Sequence, residues 1–314
     1  MTVAPDAVAS RFGVVIWGGR YLAVMRTAIV TGSSTGIGFA TALRLAREGC
    51  RVYATVRSEP SGAALADAAG TAPLSLLVLD VDDDTSVADG IASVIAAEGG
   101  IDILVNNAGI AIGDAIERTP LETFQAVMNT NLWGTLRCIQ AVLPTMREQR
   151  GGCIVNVTSI AGRVALPGQG AYSASKWAAE ALSETLAAET APFGIRVAIV
   201  EPGVVITPIF DKAAQRPLDT TSPYSAWTMR TARLLLAGLA EPSTSDETAE
   251  VIWRAITTDA PTLRHRVGRD AQTVAVERFA MTDEDWIAGL TVEDDARWRA
   301  NVEAWSGTKV PPLG

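Results

Sequence analysis

Tyr172 and Lys176 are the residues of this 314-residue chain whose types and spacing most directly suggest acid–base chemistry. Residues four positions apart on a helix lie on one face with neighbouring side chains. A free tyrosine has a pKa of about 10, too high for efficient proton transfer at neutral pH. A neighbouring ammonium favours the phenolate and lowers that pKa, so we expect Tyr172 to be the catalytic acid and base, tuned by Lys176. Without further context, a Tyr-x3-Lys pair is usually only a solvated helix face.

Ser159 follows an apolar, β-branched stretch that is typical of a buried strand. A hydroxyl at the carboxyl end of such a strand can donate a hydrogen bond to a carbonyl oxygen on which negative charge develops. Beside a tyrosine that delivers a proton to the same oxygen, it suits the reduction of a ketone by hydride, and the reverse oxidation of an alcohol. A lone serine at a strand end is otherwise a common capping residue.

A glycine-rich turn lies between the first regular strand and a helix, with the sequence Thr31-Gly32-Ser33-Ser34-Thr35-Gly36-Ile37-Gly38. Glycines permit a tight turn, and the amides of a helix N-terminus can hold a pyrophosphate where the helix dipole favours anions. The position between a strand and a helix therefore predicts a dinucleotide-binding loop. Its spacing differs from the Gly-x-Gly-x2-Gly of most two-domain dehydrogenases, and it lacks the Gly-Lys-Ser/Thr ending of a P-loop.

Further motifs follow this loop in an order that resembles the short-chain dehydrogenase/reductase family over about residues 26–275. They are Asn106-Asn107-Ala108-Gly109 after the fourth strand, Asn131 in the next helix, Ser159, Tyr172 with Lys176, and Pro202-Gly203 with Thr207 after the sixth strand. The segments at residues 52–57 and 263–271 are similar to the 17β-hydroxysteroid and retinol dehydrogenase-like branch of that family.

The resemblance implies four catalytic residues, Asn131, Ser159, Tyr172 and Lys176, with Asn131 supporting a proton path from Lys176 to solvent. It also implies a nicotinamide dinucleotide contacted by Gly32, Ser34, Thr35, Gly36, Ile37, Gly38, Arg57, Asp80, Val81, Asn107, Ala108, Gly109, Tyr172, Lys176, Pro202, Gly203, Val205 and Thr207. Family members commonly pair the helices around residues 121–149 and 171–190 between subunits, so a homodimer or homotetramer is expected.

The end of the second strand favours NADP(H) over NAD(H). An enzyme selective for NAD usually has an acidic residue there to bind the ribose 2′-hydroxyl. This chain has Val56 at that position, followed by Arg57. A carboxylate would repel a 2′-phosphate, whereas a guanidinium can bind one through two parallel hydrogen bonds. Arg57, with the Thr35 hydroxyl nearby, therefore predicts NADP(H); the alternative is an arginine that stacks on the adenine or points to solvent.

From Thr27 onward, short β-branched runs alternate with longer stretches at helical spacing. The predicted strands are 27–31, 51–56, 75–79, 103–106, 152–158 and 196–201, and the predicted helices include 38–48, 87–97, 121–149 and 171–190. Strands that are apolar on both faces and separated by helices indicate a parallel sheet covered on both sides. We therefore expect an α/β fold, a Rossmann-type doubly wound parallel sheet in a single domain.

The alternation of strands and helices breaks down after Pro208, where four prolines punctuate about forty residues. Such a stretch after the last core strand is typical of a lid over the substrate, which we place at about 208–245. We expect 1–25 to be an N-terminal extension, 26–280 the Rossmann-type domain with its lid, and 281–314 an acidic C-terminal extension. Met25, directly before the first strand, is an alternative start.

The composition excludes several other classes of protein. A net charge of −9 argues against a general nucleic-acid binder. The chain has one histidine, His265, and three cysteines without a CxxC pair. These counts argue against a metal centre with Cys and His ligands, such as a zinc site, and against a disulfide framework. They also argue against a catalytic triad that depends on histidine. The apolar segment 13–24 is shorter than the roughly 18 residues of a spanning helix and contains Arg20. These features suit a cytoplasmic protein without a membrane span.

The segment between Ser159 and Tyr172 is mostly apolar, and the expected lid adds Ile209, Phe210, Tyr224, Trp227 and Met229. Such a lining favours an uncharged, hydrophobic alcohol or ketone, similar to a steroid or retinoid, as the substrate. Asp114 is the acidic residue expected near this cleft, and we treat it as solvated. Two alternatives stay open: a 3-oxoacyl-carrier reductase, and a dinucleotide-sensing protein without turnover.

Overall fold

Seven parallel strands form the main sheet of the computed structural model, which describes residues 14–17, 20–23, 25–208 and 220–312. Their spatial order is β5-β4-β3-β6-β7-β8-β9, and every neighbouring pair is parallel. The strands are β3 (Thr27–Val30), β4 (Arg51–Val56), β5 (Leu74–Val78), β6 (Ile103–Asn106), β7 (Gly152–Val157), β8 (Ile195–Pro202) and β9 (Arg264–Val267). Before them, β1 (Val14–Trp17) and β2 (Arg20–Ala23) form an antiparallel hairpin outside this sheet.

Helices connect the strands and continue beyond the last one. They are α1 (Gly36–Arg47), α2 (Glu59–Ala69), α3 (Asp84–Glu98), α4 (Leu121–Met128), α5 (Gly134–Gln149), α6 (Gly170–Thr190), α7 (Ser225–Gly238), α8 (Ser245–Thr257), α9 (Arg269–Ala280), α10 (Asp283–Leu290) and α11 (Asp295–Ser306). Among the residues that the structure describes, none of these helices is both long and apolar enough to cross a membrane.

The central strands are buried on both faces because helices cover both sides of the sheet. One face carries a cluster in which Leu45 of α1 and Ile252 of α8 pack on the strands. The other face carries a second cluster with Ile91 of α3, Ile139 of α5 and Leu186 of α6. This is the doubly wound parallel sheet expected from the sequence, and the fold class is confirmed.

One predicted helix is interrupted. The stretch 121–149 forms α4 and α5, separated by a π-helical turn at Asn129–Trp133. A π turn inserts an extra residue into the helix, and such turns often lie at functional sites. Asn131 is in the middle of this one.

The C-terminal residues pack on the body of the protein. Trp286, Trp298 and Trp305, from α10 and α11, are buried in a third apolar cluster. The same cluster contains Val164, from the segment between Ser159 and Tyr172, and receives Leu234 of α7. The C-terminal helices α10 and α11 therefore pack against the segment between Ser159 and Tyr172, next to the expected substrate site. The predicted lid contains α7, whereas its residues Ile209 and Phe210 lie outside the described residues.

Candidate active site

The carboxyl ends of the strands meet along one edge of the sheet, and the candidate site residues follow these ends. The spatial order of the strands reverses between β3 and β6, the two strands that continue into the glycine loop and the Asn107-Ala108-Gly109 turn. In open α/β sheets, ligands bind in the crevice at such a switch point. Parallel pairing therefore brings together residues that are far apart in the sequence.

The glycine loop has a backbone that side chains would disrupt. Gly32 and Gly36 have φ angles of +67° and +61°, which L-residues rarely adopt. At Gly38, a Cβ atom would lie 2.4 Å from the Gly32 carbonyl oxygen. No side chain caps the N-terminus of α1, where Thr35 is the exposed N-cap residue, Ser34 lies just before it and Ile37 is partly buried. The free amides and tight turn fit a dinucleotide pyrophosphate.

Asn107 and Thr31 hold this loop in place. The Asn107 side-chain amide donates to the carbonyl oxygens of Thr31 (2.9 Å) and Gly32 (3.2 Å). The Thr31 hydroxyl accepts from the backbone amides of Asn107 (2.9 Å) and Ala108 (3.0 Å). Asn107 thus shapes the loop with its side chain, and Thr31, the first residue of the predicted loop, supports it through its hydroxyl.

The segment after β8 runs alongside the glycine loop. A Cβ atom on Gly36 would lie 3.1 Å from the Thr207 methyl group, so the two loops touch. The carboxylate of Asp270, at the start of α9, accepts from the Val204 amide at 2.7 Å. A Cβ atom on Gly203 would lie 2.2 Å from Asp270. Pro202, Gly203, Val205 and Thr207 are therefore placed along this side of the crevice, and Asp270 fixes their segment. Asp270 belongs to the segment 263–271 that carries the branch resemblance, and the sequence indicates no role for it in the site.

Arg57, Asp80 and Val81 lie beyond the ends of β4 and β5. Arg57 is exposed directly after β4. Asp80 accepts from the Asp82 amide at 3.0 Å, and the Val81 carbonyl accepts from Arg137 at 3.1 Å. Val81 is buried and packs against Gly134. The structure thus places these three residues at the carboxyl ends of β4 and β5, the two outer strands on the β3 side of the crevice.

Ser159 and Tyr172 share a hydrogen bond between their side chains. Ser159 directly follows Thr158 at the end of β7, and its hydroxyl accepts from the Ala161 amide at 3.1 Å. Tyr172 lies in the first turn of α6 and is half-buried. A carbonyl oxygen placed between the two hydroxyls would be within reach of both.

Lys176 lies one turn further along α6 and is almost fully buried. Its ammonium donates to the Val157 carbonyl at 3.0 Å and lies 5.8 Å from the centroid of the Tyr172 ring. A Cβ atom on Gly109 would lie 3.7 Å from it, so Lys176 also borders the turn after β6. Burial lowers the pKa of Lys176 from 10.5 to about 8, while the charge of Glu180 acts in the opposite direction.

The pKa of Tyr172 differs from the sequence-based expectation. Burial raises it above the ordinary value, and the hydrogen bond from Ser159 opposes the rise. The lysine was expected to lower it. Since the ammonium lies more than 5 Å from the ring centroid and is itself partly desolvated, burial outweighs its effect on the phenol.

Asn131 ties the turn after β6 to α6. Its side-chain oxygen accepts from the Ile110 amide at 2.8 Å, and its side-chain nitrogen donates to the Ile110 carbonyl and to Ser175, both at 2.9 Å. A Cβ atom on Gly109 would lie 3.2 Å from that oxygen, so Asn131 and Lys176 border the same glycine. These bonds make Asn131 a structural link between the two parts of the candidate site.

His265 is not part of this constellation. It lies on β9, and its ring nitrogen contacts the Thr262 carbonyl at 3.0 Å. Within the described parts of the chain, no three His, Cys, Asp or Glu side chains group as metal ligands.

A family model described as short chain dehydrogenase matches residues 26–217. The chain belongs to this family. As a short-chain dehydrogenase, it is an oxidoreductase that acts on CH–OH groups and carbonyls with a nicotinamide dinucleotide. The family expected from the motifs is thereby confirmed.

Individual relatives agree with this assignment. This short-chain dehydrogenase is 42% identical over 175 residues to a 3-ketodihydrosphingosine reductase of Bacteroides thetaiotaomicron, matching 56% of this chain and 62% of that protein. It is 32% identical over 296 residues to 17-beta-hydroxysteroid dehydrogenase type 1 of Mus musculus, covering 90% of this chain and 86% of the relative. The solved structure of ElxO with NADP bound has a TM-score of 0.65 at 26% identity, covering 78% and 96%.

Proposed function

We propose that this chain is an NADP(H)-dependent oxidoreductase that interconverts a hydrophobic secondary alcohol and its ketone. The observation that carries the proposal is the grouping of Ser159, Tyr172 and Lys176 at the carboxyl end of β7, beside the turn after β6. A nicotinamide cofactor, when bound, supplies or accepts the hydride.

The proposed roles follow from the chemistry of the side chains. In reduction, Tyr172 delivers a proton to the carbonyl oxygen, and Ser159 donates a hydrogen bond that stabilises the developing negative charge. Lys176 places a positive charge beside the phenol, which favours the phenolate left after the proton has moved. Asn131 fixes the turn beside Lys176 and supports the path by which protons return from solvent. In oxidation, Tyr172 accepts the proton.

Arg57 supports the preference for NADP(H). Its guanidinium is exposed at the end of β4, and no acidic side chain stands at the preceding position, Val56. Thr35 is also exposed, in the glycine loop that contacts β4 through the Gly32 amide and the Thr55 hydroxyl. A 2′-phosphate would meet a cation and a hydroxyl there, without a carboxylate that repels it.

The contacts of residues 114–118, in the segment before α4, support an uncharged substrate. The helix α7 is part of the proposed lid. Tyr224, just before α7, donates to Glu117, and Asp114 pairs with Arg118 at 3.6 Å. The carboxylates of Asp114 and Glu117 are therefore both bound by other side chains. A Cβ atom on Gly168 would lie 3.1 Å from the Thr228 methyl group, so α7 rests on the apolar segment between Ser159 and Tyr172.

The experiment is to follow NADPH oxidation with two sets of carbonyl compounds. One contains ketosteroids, retinoids, and long-chain and aromatic ketones, and the other contains phosphorylated hydroxyketones and 2-oxo acids. We expect turnover with members of the first set only. Turnover confined to the charged set would contradict the proposed substrate class.

We also propose that two copies associate through α4, the π turn and α6. Three large apolar side chains on this surface are exposed: Leu121 at 67%, Trp133 at 47% and Trp177 at 45%. Exposed aromatic residues grouped on neighbouring helices are typical of an interface between subunits.

A further inference from the structure

Glu180 lies on α6 one turn after Lys176 and is only 3% exposed. Its two carboxylate oxygens contact two different elements. The Thr158 hydroxyl donates to one at 2.6 Å, and the Arg264 guanidinium of β9 donates to the other at 3.0 Å. Since Thr158 lies between the end of β7 and Ser159, Glu180 connects this end of the strand to the helix that carries Tyr172 and Lys176.

The packing leaves Glu180 little freedom to move. A Cβ atom on Gly162 would lie 3.0 Å from the Glu180 Cγ atom and 3.0 Å from the Lys176 carbonyl oxygen. The turn after Ser159 therefore lies directly against this part of α6. A buried carboxylate held by a hydroxyl and a guanidinium at normal hydrogen-bond distances has a fixed position relative to the lysine.

Other charged groups surround Glu180 and its arginine. Glu201 of β8 is fully buried, 3.4 Å from Arg264 and 3.0 Å from Arg266. Glu184, on the exposed side of α6, pairs with Arg264 at 2.8 Å. Arg163, in the turn after Ser159, acts electrostatically on Glu201 and Glu184. The cluster thus contains three glutamates and three arginines beside the middle of α6.

The groups that face Lys176 itself are fewer. They are the Tyr172 ring, the Val157 carbonyl of β7, and the turn after β6 with Asn131 beside it. The charge of Glu180 favours the ammonium form of Lys176, whereas burial disfavours it. The carboxylate held by Thr158 and Arg264 therefore offsets part of the decrease that burial causes in the pKa of Lys176.

We propose that Glu180 is a positioning residue of the active site: it is the buried counter-charge that keeps Lys176 an ammonium and it braces α6 against the end of β7. Its effect on turnover rests on the proposed function, because it acts through Lys176. Without this carboxylate, more of the lysine would be neutral at neutral pH, and its support for the Tyr172 phenolate would weaken.

The titration of Lys176 tests this directly. The chain has only three lysines, so the folded protein labelled with ¹³C at lysine Cε gives few signals, and Lys176→Met identifies the one of interest. In the wild type this signal should titrate near pH 8. In Glu180→Gln, which keeps the size of the side chain, the midpoint should fall by about one pH unit.

Glu184→Gln is the matched control, because it removes another α6 carboxylate that binds Arg264 but is exposed. Its midpoint should equal that of the wild type. If Glu180→Gln does not fold, because Arg264 loses its buried partner on α6, Arg264→Gln is compared with the Glu180→Gln/Arg264→Gln double variant, and the midpoint should be lower in the double variant. An equal midpoint with and without Glu180 in a folded pair overturns the proposal.

The titration needs no turnover, so its failure is distinguishable from failure of the proposed function. If the wild type reduces ketones with NADPH, the alkaline limb of its kcat profile should move to lower pH in Glu180→Gln by the same amount as the Lys176 midpoint. A uniform loss of kcat at every pH, with an unmoved midpoint, would show that Glu180 is only structural and would overturn the proposal.

Discussion

At the scale of single residues, the burial of Lys176 disfavours the ammonium form that the proposed chemistry requires. A lysine surrounded by protein loses the hydration that stabilises its charge, and its pKa falls from 10.5 to about 8. Between these two values the unfolded chain binds more protons than the folded protein does. The free energy of unfolding should therefore increase as the pH rises from about 8 to 10.5, and the same contribution is lost as the pH falls back to 8.

We accordingly predict a pH-dependent difference between the wild type and Lys176→Met. The free energy of unfolding of the wild type, relative to that of the variant, should increase from about pH 8 to pH 10 and be flat between pH 6 and 7. The full change between the two pKa values is about 3 kcal/mol. Urea denaturation of both proteins over this range measures it, and a difference that does not vary with pH would show that Lys176 titrates normally.

Arg57 gives a second prediction at this scale. Arg57→Ala should weaken NADPH binding at least tenfold and change NADH binding by less than twofold, because only NADPH carries the 2′-phosphate. Fluorescence titration with both cofactors measures the two dissociation constants. Arg51→Ala, which removes another exposed arginine at the opposite end of β4, is the control. Equal losses for both cofactors would refute the role of Arg57.

At the scale of elements, α7 of the proposed lid packs against the C-terminal helices α10 and α11, and the three helices form one packed unit. The Trp298 ring lies under the guanidinium groups of Arg230 and Arg233, at 5.2 and 5.3 Å. Arg233 also pairs with Asp295 at 2.6 Å. Since α7 rests on the segment between Ser159 and Tyr172, changes in α11 should reach the substrate side of the site.

We predict that Trp298→Ala destabilises the protein by about 3–5 kcal/mol, because it leaves a large cavity in a buried apolar cluster. It should also raise KM for a hydrophobic ketone more than KM for NADPH, since the cluster supports the substrate side. Thermal denaturation and steady-state kinetics measure the two effects. Ile287→Ala, at a 59% exposed position of α10, should change neither; an equal effect of both substitutions would argue against the packed unit.

The regular part of the fold could be predicted because its signals are local. Each predicted strand of the sheet lies within one residue or so of the observed one, since buried β-branched runs have few alternatives. The glycine loop, Ser159, Tyr172 and Lys176 followed from motifs. The π turn around Asn131, the burial of Trp298 and the contacts of Asp270 and Glu180 could not be predicted. They depend on which distant elements meet, and neither spacing nor composition reports this.

At the scale of the whole molecule, the acidic net charge coexists with local basic groups. Arg57 and the uncapped amides of α1 provide positive potential at the crevice of a chain whose net charge is −9. The buried carboxylates of Glu180, in the middle of α6, and Glu201, on β8, pair with arginines. The net charge therefore argues against a general polyanion-binding surface and is compatible with a dinucleotide site.

Assembly is a second property at this scale. The Trp133→Glu/Trp177→Glu double variant should be monomeric where the wild type is a dimer or tetramer, because it places charges on the apolar surface proposed as the interface. Light scattering coupled to gel filtration measures the mass of each. Leu236→Glu, at a 66% exposed position of α7, is the control and should keep the wild-type mass. A monomeric wild type would contradict the proposed interface.

The most direct test of the proposed chemistry separates turnover from cofactor binding in Tyr172→Phe. This change removes one hydroxyl and keeps the ring against Lys176. For a ketone that the wild type reduces, kcat should fall by about a thousandfold or more, whereas the dissociation constant for NADPH should change by less than threefold. A variant that keeps most of the wild-type kcat would contradict the account, because Tyr172 would then not be the proton donor.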